Sequence, residues 1–249
     1  MRFSPRNAER MFFERLGSTN EHLQKLARRK QLSEGTVVWT NFQTHGRGHG
    51  ENVWESADGK NLLMSILLKP PSFYATDQFQ ISKLISLSLI GLVKKYCRQV
   101  CIKWPNDILV GKKKIAGVLI ENTIIGNHID ESIAGIGLNI NQLEFPIYIP
   151  GPTSLKLETG CHFDILDVMN DLICQIEKWY THLLIKNFQK INSEYESVLF
   201  GMNEIIQFEQ KGHSFQARIT GVGQGGQLLL EMPDGDIRAF GFKEVSYRI

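Results

Sequence analysis

Cysteine is scarce in this chain, with four in 249 residues. Cys97 and Cys101 stand close together and Cys161 and Cys174 further apart, with no CxxC and no paired histidine spacing. That excludes a dense disulfide framework and a zinc module, and it predicts four reduced thiols in a cytosolic protein. Long apolar runs are missing too. No uncharged stretch approaches the ~20 residues needed to cross a bilayer. The first residues, MRFSPRNAERMFFERLGS, mix charges throughout and lack the apolar segment of a secretory signal. The expectation is a soluble, cytoplasmic protein with no membrane partner. An excess of one charge is also absent: Lys plus Arg is 28, Asp plus Glu is 26, and the net charge is +2. So even a balance argues against non-specific nucleic-acid binding. The local runs Arg28–Lys30 and Lys112–Lys114 read as solvated faces. A hydrophobic share of 42% and a charged share of 22% are ordinary globular values and exclude disorder.

Periodicity sorts the chain into an α+β portion and an all-β tail. Ser18 and Glu21 have capping-box spacing, which predicts a helix from Ser18 to about Lys30. Strands are expected at Thr36–Phe42, Asn61–Leu68, Val100–Trp104, Asp107–Val110, Lys114–Glu121 and Ser132–Ile140. Helical spacing of apolar residues predicts helices over Gln78–Tyr96 and Asp164–Ile185. Phe145–Pro152 reads as loop. After Gly201 come short alternating segments separated by turn signals at Lys211-Gly212, Gly223–Gly226 and Pro233-Asp234-Gly235. The expected division is 1–199 and 200–249, the second part a small β-barrel.

Gly46-Arg47-Gly48-His49-Gly50 has the look of a phosphate-binding loop, but the common templates fail. The dinucleotide fingerprint needs glycine three after Gly48, where this chain has Glu51. Gly59-Lys60 and Gly111-Lys112 lack the earlier glycine and the hydroxyl residue of a P-loop. There is no HExxH helix and no GxSxG elbow.

Several segments taken together are more specific. Gln43–Ser56 (QTHGRGHGENVWES), Lys103–Asp107 (KWPND), Lys114–Glu121 (KIAGVLIE) and Gly135–Asn139 (GIGLN) occur in this order. Ser18-Thr19-Asn20 precedes them and Thr153-Ser154-Leu155 follows. In content, order and spacing the set resembles the biotin–protein ligases, from about Phe12 to Leu155. The resemblance implies a mixed β-sheet flanked by helices, similar to the class II aminoacyl-tRNA synthetase core, followed by an SH3-like barrel. It also implies a two-step reaction. ATP activates the biotin carboxylate as biotinyl-5′-AMP, and a lysine of a biotin carboxyl carrier domain then displaces AMP. Biotin and ATP are the implied small molecules, Mg²⁺ the implied cofactor, and a homodimer is a possible assembly. With only 17 residues before Ser18, the expectation is a ligase without a DNA-binding domain.

The chemistry asks for what these residues offer. A carboxylate must approach a polyanion, so fixed cations are needed. The resemblance assigns Arg47, Lys114 and Asp107 to catalysis. Biotin's neutral ureido ring needs groups that both donate and accept. The implied biotin set is Ser18, Thr19, Asn20, Gln43, Arg47, Gly48, His49, Lys114 and Gly117, with Gly117 and Gly135 expected to let backbone approach the ligand. The implied nucleotide set is Arg47, Trp54, Lys103, Asn106 and Asn139, with Trp54 stacking on adenine. Asn106, Asp107 and Asn139 supply the hard oxygens that Mg²⁺ prefers. His49 departs from the family, which often has Arg there, so weaker retention of biotinyl-AMP is expected. The other readings are a lipoate or octanoate protein ligase, a non-enzymatic biotin- or carrier-binding module and, least favoured, a nucleic-acid-binding barrel.

Overall fold

The segment Leu62–Leu68 is buried at every position, and the rest of the molecule is arranged around it. The computed structural model describes residues 8–50 and 52–248. In chain order the first elements are β1 (Arg10–Leu16), α1 (Thr19–Arg29), β2 (Val37–Gln43), β3 (Leu62–Leu68), β4 (Phe73–Tyr74) and α2 (Phe79–Val93). Next come β5 (Val100–Lys103), β6 (Asp107–Val110), β7 (Lys113–Ile125), β8 (His128–Leu138), α3 (Leu155–Thr159), α4 (Ile165–Leu184) and α5 (Phe188–Ser197). The C-terminal strands are β9 (Ile205–Gln210), β10 (His213–Val222), β11 (Leu228–Glu231), β12 (Ile237–Phe240) and β13 (Ser246–Tyr247).

The first sheet runs β1-β2-β3-β8-β7-β6-β5, with β4 also on β8. β1 pairs parallel with β2 and the other pairs are antiparallel, so the sheet is mixed, as expected. Alternation along β3 divides its faces. Leu62, Met64, Ile66 and Leu68 point into the main core beneath α2 and α4. Leu67 points the other way, into a smaller cluster with Leu23 of α1, Leu32, Val38 and Ile133. The face under α1 is where the site forms.

Several elements differ from expectation, each for a physical reason. β1 is an edge strand whose positions are all exposed or half-buried, and its charged residues mask the strand pattern. The β7–β8 hairpin continues well past Glu121 to a turn at Gly126, because its outer half is exposed and tolerates polar residues. α3 is a single short turn, and α5 is short with only Ile191 and Tyr195 buried, so neither offers a long apolar pattern. Ser18 occupies the N-cap position of α1 with an extended backbone, but its side chain makes no capping hydrogen bond, so the capping box is not formed. Asp164 does cap α4, accepting from the amides of Leu166 and Asp167.

α2 is buried nearly all round rather than along one stripe. Lys83 lies inside that packing, 1% exposed, and its Nζ donates to Asn192 Oδ1 of α5 at 2.8 Å. Burial pulls its pKa down to about 8, opposed by Glu196.

The second sheet, β12-β11-β10-β9-β13, is antiparallel throughout and built from Ile205 onward. Its Phe208, Ile219, Leu228 and Leu230 belong to the same apolar core as Leu84 and Leu89 of α2. Trp104 fastens the two parts, donating from Nε1 to the Gly226 carbonyl at 2.8 Å and meeting the Phe242 ring edge-on at 5.4 Å.

Candidate functional site

The floor of the site is a patch of sheet with few side chains. Gly117 of β7 is the register partner of Gly137 of β8, and Gly135 stands opposite both Leu119 and Ser65. The space above these glycines is filled by two side chains. A Cβ on Gly137 would lie 2.3 Å from the Trp54 indole, and one on Gly117 would lie 2.9 Å from it. A Cβ on Gly135 would lie 2.3 Å from Asn20 Oδ1. Gly117 and Gly135 were expected to admit a ligand to the backbone. In this structure both line the cavity and seat the indole and the amide that wall it.

A polar chain runs along the wall. The Thr19 amide and hydroxyl both donate to Gln43 Oε1, at 2.8 and 3.1 Å. Ser65 Oγ lies 2.7 Å from Thr19 Oγ1 and 2.6 Å from Asn20 Oδ1. Asn20 Nδ2 donates to Glu121 Oε2 at 2.8 Å. Glu121 in turn accepts from Arg47 Nη2 at 2.9 and 2.8 Å. Sequence reasoning gave no role to Ser65 or Glu121. The signal for Ser65 was a lone hydroxyl in the apolar run LLMSILL. The signal for Glu121 was its strand phase, since it shares a face with Gly117 and Leu119.

The glycine-rich segment forms a tight hairpin in which Arg47 bridges Val53. The Gly48 amide donates to Asn52 O at 2.7 Å and the Trp54 amide to Gly46 O at 3.0 Å. A Cβ on Gly46 would lie 2.2 Å from the Trp54 carbonyl oxygen, so this approach requires glycine. His49 meets the Phe242 ring edge-on at 5.1 Å. Burial lowers its imidazole pKa and Lys243 lowers it further, which keeps the ring neutral at neutral pH.

Lys114 completes the site from β7. Its Nζ lies 2.6 Å from Asp107 Oδ1 and 5.4 Å from the centre of the Trp54 ring. Asn106 donates to the Val118 carbonyl at 2.7 Å. A cavity of about 110 Å³ is thereby lined by Ser18, Thr19, Asn20, Gln43, Arg47, Gly48, His49, Trp54, Asn106, Asp107, Lys114 and Gly117. A second cavity of about 410 Å³ shares Gln43, Val53 and Trp54 with it and extends to Glu55, Gln142 and Pro146.

Two expected residues lie outside both linings. Lys103 sets its Nζ 5.3 Å from the Tyr247 ring centre, and burial lowers its pKa while Asp107 opposes the shift. Asn139 donates to the Thr153 carbonyl at 3.0 Å, and its buried Oδ1 has no hydrogen-bond partner. For a metal, Asp107 is the one carboxylate among the described residues lining the first cavity, and no cluster of three or more His, Cys, Asp or Glu occurs among the described residues. Mg²⁺ binds through one or two carboxylates together with substrate phosphates and water. The donor set therefore fits an ion that arrives with a nucleotide, not one caged by protein.

The model of the biotin/lipoate A/B protein ligase family matches residues 12–139, which include every floor and wall residue named above. The chain belongs to that family. A curated member, the bifunctional ligase/repressor BirA of Bacillus subtilis, is 31% identical over 224 residues, covering 88% of this chain and 68% of the relative. The biotin–[acetyl-CoA-carboxylase] ligase of Paracoccus denitrificans is 28% identical over 228 residues, covering 89% of this chain and 93% of the relative. Among solved structures, the Aquifex aeolicus biotin protein ligase in complex with biotin and ATP superposes with a TM-score of 0.80 at 27% identity. It covers 96% of this chain and 98% of that one.

Proposed function

We propose that this member of the ligase family joins biotin to a lysine of a biotin carboxyl carrier domain, using ATP and passing through biotinyl-5′-AMP. The observation that carries the reading is the convergence of Arg47 and Lys114 on one cavity that Ser18, Thr19 and Gln43 also line. The ureido ring takes the hydroxyl and amide end, where neutral groups that both donate and accept match its two N–H groups and carbonyl. The carboxylate takes the cationic end.

The cations are held ready but not locked. A half-exposed ion pair such as Arg47–Glu121 is worth about 0–1 kcal/mol. A charged hydrogen bond to a desolvated phosphate or carboxylate is worth about 1.5–3 kcal/mol, so an anionic ligand takes Arg47 from Glu121. Lys114 is closer to its carboxylate and faces the same choice. Once recruited, the two cations offset repulsion between the biotin carboxylate and the α-phosphate and stabilise charge on phosphorus. The larger cavity behind Trp54 gives adenine a place against the indole. Bound Mg²⁺ would neutralise phosphate charge, with Asp107 and Asn106 the residues in place to meet it. In the second step the lysine amine attacks the acyl carbon, the acyl–phosphate bond breaks and AMP leaves. Asp107 is positioned to take the amine proton.

In the same reading the C-terminal sheet is an SH3-like barrel, the first sheet is a class II synthetase-like core, and the protein works in the cytoplasm. Support comes from the meander order of five short strands and the helices on both faces of the mixed sheet. No helix among the described residues is long and apolar enough to cross a membrane. The test is ATP-dependent labelling of a carrier domain with biotin or lipoate in competition. Transfer of biotin alone supports the reading, and preference for lipoate overturns it.

A further inference from the structure

Glu121 of β7 is joined to two residues that line the first cavity, Asn20 of α1 and Arg47 of the glycine-rich hairpin. Both its oxygens accept from Arg47 Nη2, and Oε2 also accepts from Asn20 Nδ2. The guanidinium has its use in the reading above. The tie to Asn20 has none there.

Asn20 is 3% exposed, so its polar atoms need partners. Its Nδ2 lies 2.8 Å from Glu121 Oε2 and 3.3 Å from the Leu119 carbonyl oxygen, which accounts for both amide hydrogens. Its Oδ1 accepts from Ser65 Oγ at 2.6 Å and keeps one lone pair. Ser65 tolerates the amide either way round. Its hydroxyl can accept from an amide N–H and donate to Thr19 Oγ1 instead, 2.7 Å away. An ionised carboxylate only accepts, so a turned amide would set Oδ1 against negative charge. The Leu119 carbonyl gives the same bias over a longer, uncharged contact. Glu121 therefore decides which end of the Asn20 amide is spent and which is left.

With both hydrogens spent, Asn20 offers the cavity an acceptor alone. Gln43 offers the opposite. Its Oε1 takes two hydrogen bonds from Thr19, which leaves the N–H groups of Nε2. A cyclic urea carries N–H donors beside a carbonyl acceptor, and groups fixed in advance bind it at less cost than groups free to turn.

We propose that Glu121 is a positioning residue for biotin: it locks the Asn20 amide so that Oδ1, not Nδ2, is left to accept from a ureido N–H. This deepens the biotin reading above and rests on it. The hold outlasts the loss of Arg47 to an anionic ligand, since Asn20 then has Oε2 to itself.

Biotin methyl ester separates the two contacts, because it keeps the ureido ring and has no carboxylate for Arg47. Equilibrium binding of biotin and of the ester is measured without ATP, by calorimetry. Glu121→Gln keeps the side chain's size, removes its charge and lets the amide turn. It is expected to weaken both ligands, the ester by about 10-fold, the worth of one misdirected hydrogen bond. In an Asn20→Ala background the same change is expected to weaken the ester by less than about 2-fold. Glu121→Asp, which can still only accept, is expected to bind the ester more tightly than Glu121→Gln does. An unchanged ester affinity in Glu121→Gln overturns the assignment, by leaving Glu121 to act on Arg47 alone. A full loss that persists beside Asn20→Ala also overturns it, by making Glu121 a general support of the wall. A Glu121→Asp variant no better than Glu121→Gln does the same. A parent that binds neither ligand overturns the biotin reading and the Glu121 role with it.

Discussion

Ser65 shows how a single hydroxyl can organise a site. It is fully buried and within hydrogen-bond distance of both Thr19 Oγ1 and Asn20 Oδ1. Ser65→Ala leaves a buried amide oxygen without its donor, which costs about 1–3 kcal/mol. Chemical denaturation is expected to show that loss, and the biotin KM is expected to rise with it. A variant as stable as the parent with unchanged biotin KM would remove Ser65 from the site. His49 belongs to the same scale. A neutral imidazole packed on Phe242 is a poorer anion partner than guanidinium. His49→Arg is expected to slow dissociation of biotinyl-AMP, measured by chase with unlabelled biotin, and an unchanged off-rate would defeat the idea. Residue chemistry was the most legible layer of the sequence. Gln43, Arg47, Asp107 and Lys114 stood in recognisable runs, and they meet at one cavity. Ser65 and Glu121 escaped notice because their positions follow from which face of a strand they occupy, and motif reading does not track strand phase.

Among the elements, α2 carries a testable tension. It is buried on nearly every side yet contains Lys83, whose pKa falls to about 8. A lysine with a folded-state pKa below its unfolded value binds fewer protons when folded. Between about pH 8 and 10.5 the unfolded chain therefore holds the extra proton, and stability rises with pH across that window. The whole rise is on the order of 3 kcal/mol. Lys83→Met is expected to be more stable than the parent at pH 7 and to flatten the rise of Tm between pH 8 and 10.5. Parallel Tm curves for the two proteins would contradict this. Strong period signals located β3, α2 and α4. The edge strand β1 stayed hidden because an exposed strand needs no apolar face, and α5 because two buried residues in a short polar run are a faint signal. Capping signals divided as well. Asp164 caps α4, while Ser18 at the N-cap of α1 makes no cap and lines the cavity. Local pattern alone does not distinguish those two uses of a polar residue.

At the level of the whole molecule, the site is assembled from segments far apart in sequence. Helix α1, the glycine hairpin, the β5–β6 turn and β7 supply its walls, and the β12–β13 turn meets its rim. Composition and turn signals announced a change of character near Phe200. They did not reveal that the two sheets share one apolar core or that Trp104 and Phe242 join them. Such contacts depend on docking between elements and have no local sequence signature. The central claim is that Arg47 and Lys114 act together on the biotin carboxylate while other groups hold the rest of the vitamin. The most direct measurement is single-turnover formation of biotinyl-AMP by the parent and by Lys114→Ala, beside equilibrium binding of biotin without ATP. The expected result is a fall in the adenylation rate of at least about 100-fold in Lys114→Ala, with biotin affinity changed by less than about 10-fold. An adenylation rate equal to the parent's would contradict the account.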